Sequence, residues 1–202
     1  MTRWHAGVIG GLILLLTACA GAPVAPVADP SAAWERHTAE LRELDEWRLT
    51  GRIAIQTGSE GWHATLDWRQ FGEYYEIRII APLGQGSVLL SGDAERVILR
   101  TADDVIDASD PDRLLFETLG WRVPVAALRY WVLGLPAPGE DAYPELDAGG
   151  HLAELRQRGW RIQFQDYRQR AGHYTLPGKV FARSADGQVR LAIGEWRLEA
   201  GV

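Results

Sequence analysis

The sequence predicts a mostly β fold of the α+β class, an antiparallel sheet covered by helices. Apolar and polar residues alternate at period two through most of residues 48–100 and 152–198, the signature of strands with one buried face. The breaks between these runs are short, which suits antiparallel neighbours, because a parallel crossover needs a dozen residues or more. Helix-like spacing is confined to three places, before and within the strand pattern.

The first helix is expected over residues 31–47, where Trp34, Leu41, Leu44 and Trp47 recur at near-helical spacing and Glu35, Arg36, Glu40, Arg42 and Glu43 fill the other face. From Arg48 the period becomes two: Ile53 and Ile55, then Trp62, Ala64, Leu66 and Trp68, then Tyr75, Ile77 and Ile79, then residues 87–91, then Val97 and Leu99. Gly58, Gly61, Gly72, Pro82, Gly86 and Gly92 mark the turns. Asp110 can cap a second helix opened by Pro111, whose missing amide hydrogen costs nothing there, and Gly120 closes it. Pro124 opens a third helix carrying Val125, Leu128, Trp131 and Val132, ended by Gly134 and Pro136. Strands resume at Leu152 and Leu155, at Trp160, Ile162 and Phe164, at Val180 and Ala182, and at Val189, Leu191 and Ile193. Gly194 shifts the phase before Trp196 and Leu198. There is no internal repeat.

The chain has 202 residues, enough for one domain, and a net charge of −6, so nucleic acid is not an expected partner. Cys19 is the single cysteine, which excludes an intramolecular disulfide, a CxxC redox pair and a cysteine-rich zinc site. His37, His63, His151 and His173 fall on different elements without HExxH spacing. Asp103, Asp104, Asp107, Asp110 and Asp112 lack the spacing of a calcium loop and read as a helix cap and solvated turns. Neither a metal nor a cofactor is expected. Ser87 and Ser91 sit in no GxSxG elbow, and Gly178-Lys179 lacks the first glycine of a P-loop, so no enzymatic reaction is expected either.

The N-terminus gives the compartment. Arg3 precedes an apolar run over residues 6–16, which as a helix would span only about 16 Å, roughly half of a bilayer's hydrocarbon core. This is the pattern of a secretory signal peptide. Its end, Leu16-Thr17-Ala18-Cys19, resembles the bacterial lipobox, after which the signal is cut and the cysteine is lipidated. The expected organisation is a signal peptide over 1–18, a lipidated Cys19 with a flexible tether over 19–33, and a single domain over 34–202. Rich in proline and alanine, the tether could reach about 40 Å at ~3.1 Å per residue. Acyl chains at ~0.8 kcal/mol per buried CH2 make such an anchor permanent.

Eight of the nine tryptophans fall within residues 34–196. Periodicity fits both a packed core and a lipid cavity, and leaves the two open.

Several segments together resemble the LolB family of outer-membrane lipoprotein receptors: the lipobox at Cys19, Trp34-Glu35-Arg36-His37, Ala81-Pro82-Leu83-Gly84, and Leu128-Arg129-Tyr130-Trp131-Val132-Leu133-Gly134-Leu135-Pro136. Trp68, Trp160 and Trp196 also fall where that family carries tryptophan. The resemblance implies an unclosed antiparallel half-barrel with a helical lid over an apolar cavity, in which Trp34, Trp68, Trp131, Trp160 and Trp196 form cavity or lid. It implies a monomer anchored in the outer membrane and facing the periplasm. Such a receptor accepts the acyl chains of lipoproteins from the soluble carrier LolA and inserts them into outer-membrane lipid. Leu83 matches an apolar residue that protrudes from its loop to insert cargo, although Gln85-Gly86 departs from the commonest form of that loop. Taking a sixteen-carbon chain out of water is worth about 12 kcal/mol at ~0.8 kcal/mol per CH2, so cargo must pass from one apolar site to another. The alternative is a lipidated envelope scaffold or assembly protein whose tryptophans form a solid core.

Overall fold

The computed structural model describes residues 26–58, 60–82, 86–93, 95–170 and 172–198. Cys19 and Leu83 therefore lie outside the described residues. The described elements and buried core residues fall within residues 26–198.

Helix α1 (Pro30–Arg42) starts where Asp29 accepts hydrogen bonds from the Ser31 and Ala32 amides, both at 3.0 Å. It stops at Arg42, short of the expected residue 47. The Glu43 and Leu44 amides turn back to the Glu40 and Leu41 carbonyls, which tightens and ends the helix. Trp47 is claimed instead by the sheet, where its ring lies 5.3 Å from Trp68 and 5.5 Å from Trp196. Burying that aromatic surface outweighs another helical turn.

Strands β1 (Glu46–Thr57), β2 (Glu60–Phe71), β3 (Tyr74–Ile80), β4 (Ser87–Gly92), β5 (Val97–Arg100) and β6 (Val105–Ala108) form an antiparallel meander. Helices α2 (Pro111–Leu119) and α3 (Val125–Trp131) follow. The chain continues through β7 (Ala142–Leu146), β8 (Leu152–Gln157), β9 (Trp160–Gln165), a small separate pair β10 (Arg168–Gln169) and β11 (Thr175–Leu176), then β12 (Lys179–Arg183) and β13 (Gln188–Leu198). Apart from that small pair, the strands make one eleven-stranded sheet in the order β6-β5-β4-β3-β2-β1-β13-β12-β9-β8-β7. Its two edges, β6 and β7, do not pair, so the sheet is not closed into a barrel. Helices α2 and α3 are the connection between those edges. The chain leaves one edge, crosses the apolar face as two helices, and rejoins the sheet at the other.

Two irregularities explain breaks in the alternation. Thr50 pairs with Glu195 but Gly51 with Ile193, leaving Gly194 as the extra residue of a bulge. Gly51 faces it closely: a Cβ there would lie 2.3 Å from the Ala192 carbonyl oxygen. A second shift pairs Glu145 with Glu154 but Leu146 with Leu152, so Leu152 and Leu155, three apart, are both buried.

Candidate functional site

Local chemistry holds the lid. Asp110 caps α2 by accepting from the Asp112 and Arg113 amides at 3.0 and 3.1 Å, Pro111 opens the helix, and Gly120 ends it in the left-handed region at φ 71°. No side chain of its own caps α3. The Asp112 carboxylate of α2 does so across the turn, accepting from the Val125 amide at 2.9 Å. Burial raises the Asp112 pKa above the ordinary carboxylate value, and the Val125 amide opposes that shift. Buried Gln157 of β8 ties the end of the lid to the sheet. Its Oε1 accepts from Trp131 Nε1 at 3.0 Å and from the Ala137 amide at 2.9 Å, while its Nε2 donates to the Ala137 carbonyl at 2.7 Å.

Beneath the lid lies a cavity of about 70 Å³. Strands β1 to β4, β12 and β13 supply one wall, including Ile53, Leu66, Trp68, Ile77, Leu90, Ala182 and Leu191. The lid supplies the other through Leu115, Trp121, Val123, Val125, Leu128, Trp131 and Val132. Among the described residues, every one that lines it is apolar. A dry void of this kind suits hydrocarbon and offers nothing to a reaction needing acid, base or nucleophile.

Two grooves flank it. One, of about 460 Å³, shares Ile53, Ile55, Ile79, Val88 and Trp121 with the cavity and continues past Leu119 to Trp62, which is 56% exposed. His63 and Asp103 are the ionisable side chains lining it. The other, of about 430 Å³, shares Trp68 and Val125 with the cavity and carries Glu73, Asp93, Asp110, Asp112, Arg129 and Arg158.

Polar groups elsewhere bind elements together. Arg48 grips Asp67 through two contacts of 2.7 and 2.6 Å, and this hydrogen-bonded guanidinium holds the Asp67 pKa below its usual value. On α1, His37 lies edge-on to His151 at 5.2 Å, and His151 stacks on Tyr167 at 4.7 Å. Burial, reinforced by His151, lowers the His37 pKa to about 4. Burial raises the Tyr167 pKa, and its hydroxyl donates to the Leu152 carbonyl at 3.0 Å.

Of the tryptophans singled out by the sequence, Trp68 and Trp131 line the cavity. Trp160 backs Trp131, with ring centroids 6.2 Å apart. Trp196 backs Trp68 through Trp47 and donates from Nε1 to the Pro177 carbonyl at 3.2 Å. Trp34 sits on α1 beside His37, away from the cavity. Sequence reasoning passed over Trp121 and Gln157. Position 121 follows the glycine that closes α2, a signal that its ring turns back under the helix, whereas nothing local marks Gln157.

An open antiparallel sheet bridged edge to edge by helices is a fold that several solved structures resemble. A LolA-superfamily protein from Nitrosomonas europaea matches with a TM-score of 0.54 at 10% identity, over 87% of this chain and 96% of that one. A putative outer-membrane lipoprotein-sorting protein domain from Vibrio parahaemolyticus matches at 0.53 and 10%, over 85% and 92%. At such identities the likeness concerns fold alone. Sequence narrows it: the family model described as outer membrane lipoprotein LolB matches residues 45–196. The outer-membrane lipoprotein LolB of Nitrosococcus oceani is 40% identical over 193 residues, 95% of this chain and 96% of that protein. Its counterpart from Alkalilimnicola ehrlichii is 38% identical over 200 residues, 98% and 99% of the two. The chain belongs to the LolB family.

Proposed function

We propose that this protein is an outer-membrane-anchored receptor that takes the acyl chains of lipoproteins from a LolA carrier and inserts them into the outer membrane, without catalysing a covalent step. The observation that carries this reading is the cavity whose described lining residues are all apolar, beneath a lid that spans the sheet's open side. Transfer between two oily sites leaves the ~12 kcal/mol of a sixteen-carbon chain's hydration penalty unspent, so a small affinity difference suffices to set direction. A cavity of about 70 Å³ is the volume of two or three waters at ~30 Å³ each, well below the ~300 Å³ where ligand sites begin. In this reading the lid lifts to admit a chain and settles back when it leaves.

The signal over 1–18 is cut on export, and the lipidated Cys19 with the tether that follows it, as far as the start of α1 at Pro30, holds the domain at the periplasmic face of the membrane. Leu83 is the membrane-inserting side chain; burying it in lipid is worth about 1.5–3 kcal/mol, enough to bias docking without trapping the protein. The five tryptophans act in two layers, Trp68 and Trp131 on the chain itself, Trp160 and Trp196 behind them, with Trp34 on α1.

The test mixes the purified protein with a carrier holding a labelled lipoprotein, then adds liposomes. Label is expected to pass to this protein and on to lipid, and Leu83→Glu is expected to take up label but not deliver it. Label that remains on the carrier overturns the reading. The small cavity is what a solid-cored scaffold would share, and such a scaffold would show no saturable uptake of a fluorescent fatty acid.

A further inference from the structure

The two flanks of the cavity are held in different ways. On the Tyr75 side the lid is bolted to the sheet: Arg129 of α3 pairs with Glu73 in the turn between β2 and β3 at 2.8 Å, and Gln157 of β8 grips Trp131 and Ala137. A hydrocarbon tail passing there would have to break these bonds and slide among four carboxylates, which is costly for an apolar ligand.

Among the described residues the opposite flank has no such bond to the sheet, and Asp103 is the single carboxylate that lines it. Residues 113–123, among those described, make no hydrogen bond to the sheet: the Arg113 and Leu114 amides go to the cap at Asp110, Arg113 to Glu117, and the Gly120 and Trp121 amides to the Phe116 and Leu115 carbonyls. Arg122 stacks on Phe116 at 3.6 Å, again inside the lid. Only apolar packing presses this end onto the sheet, and Trp121 is the one lid residue that lines both the cavity and the groove outside it. Beyond it Trp62 is exposed, an apolar platform where a tail would first make contact.

We propose that alkyl chains enter and leave through this flank, with Trp121 as the displaceable wall between groove and cavity and Trp62 as the outer lip. The bolted flank is then the hinge side. This rests on the cavity being the acyl-chain site and adds where the chain passes. Packing contacts can part and re-form without leaving a polar group unsatisfied, whereas the bonds across the other flank cannot.

The experiment uses the full chain and a fluorescent sixteen-carbon fatty acid, with uptake and release followed by stopped flow. Trp121→Ala is expected to speed both rates about tenfold with less than a threefold change in Kd, since it lowers a barrier common to both directions. Trp62→Glu, at an exposed position on β2 and with Tm measured alongside, is expected to slow both rates about fivefold by placing a charge on the path. Glu73→Gln, which loosens the bolted flank, is expected to leave both rates within twofold. Rates raised by Glu73→Gln, or unmoved by Trp62→Glu, would overturn the port while the cavity reading stands. No saturable binding by the unmodified protein would overturn the cavity reading, and the port with it.

Discussion

Filling the cavity should make the protein more stable and less able to bind. Ala182 on β12 is 4% exposed and lines the void, and Ala182→Leu adds three carbons directed into it. At ~24 cal/mol per Å³, a void of about 70 Å³ costs the fold about 1.7 kcal/mol. Burying three more carbons at ~0.8 kcal/mol each offers about 2.4 kcal/mol, and adjusting neighbouring rotamers returns ~1 kcal/mol of that. The expected net gain is about 1 kcal/mol, a rise in Tm of roughly 2–4 °C for a domain of this size. Fatty-acid affinity should fall at least tenfold, because the added side chain occupies the space a tail would take. Thermal unfolding and fluorescent fatty-acid titration on one preparation give both numbers. A drop in Tm with affinity unchanged would refute the reasoning, since the void would then be neither fillable nor the binding site.

Gln157→Leu strands the Trp131 indole N–H and both backbone groups of Ala137, each costing about 1–3 kcal/mol when buried without a partner, so urea unfolding should show a loss of about 3–5 kcal/mol; a loss under 1 kcal/mol contradicts the brace. Acid should loosen α1. The folded His37 pKa, about 4, lies below the ordinary 6.5, so the unfolded chain binds the extra proton between those values; stability is full above pH 6.5 and declines as pH falls toward 4. His151, Glu40 and Asp147 face this group, and after solvent screening the decline should be about 1–2 kcal/mol, absent in His37→Gln, as denaturation at stepped pH would read. Gly51→Ala would set a Cβ 2.3 Å from the Ala192 carbonyl oxygen, and because that oxygen is part of the backbone opposite the bulge, a loss of about 2 kcal/mol in thermal unfolding is expected; no loss would mean that the bulge yields freely.

Much of the architecture is written locally. The period-two runs specify β1 to β5 and β9, β12 and β13, since a half-buried strand must alternate, and Asp110, Pro111 and Gly120 specify α2 because each meets a backbone requirement at a helix end. Gly194 announces its bulge by breaking the alternation. What escaped depends on distant partners. Trp47 reads as helical until Trp68 and Trp196 are beside it. Strands β6 and β7 are sheet edges with exposed Val105 and Tyr143, so neither carries a clean apolar face. Closure of the open side by α2 and α3 follows from the pairing of β1 with β13, which joins the two ends of the domain and has no local signal. The cavity was legible only in part. Trp68 and Trp131 are marked by the family resemblance, but Trp121 and the aliphatic lining look like any core until the helices are set above the sheet.

The most direct test of the central claim is to load the protein with a sixteen-carbon fatty acid carrying a photoreactive group at its far end, irradiate, and map the adducts by mass spectrometry. Adducts on Trp68, Leu90, Trp131 or Leu191, all facing the void, are the predicted result. Adducts confined to the outer face of the sheet, or none above background, would contradict it.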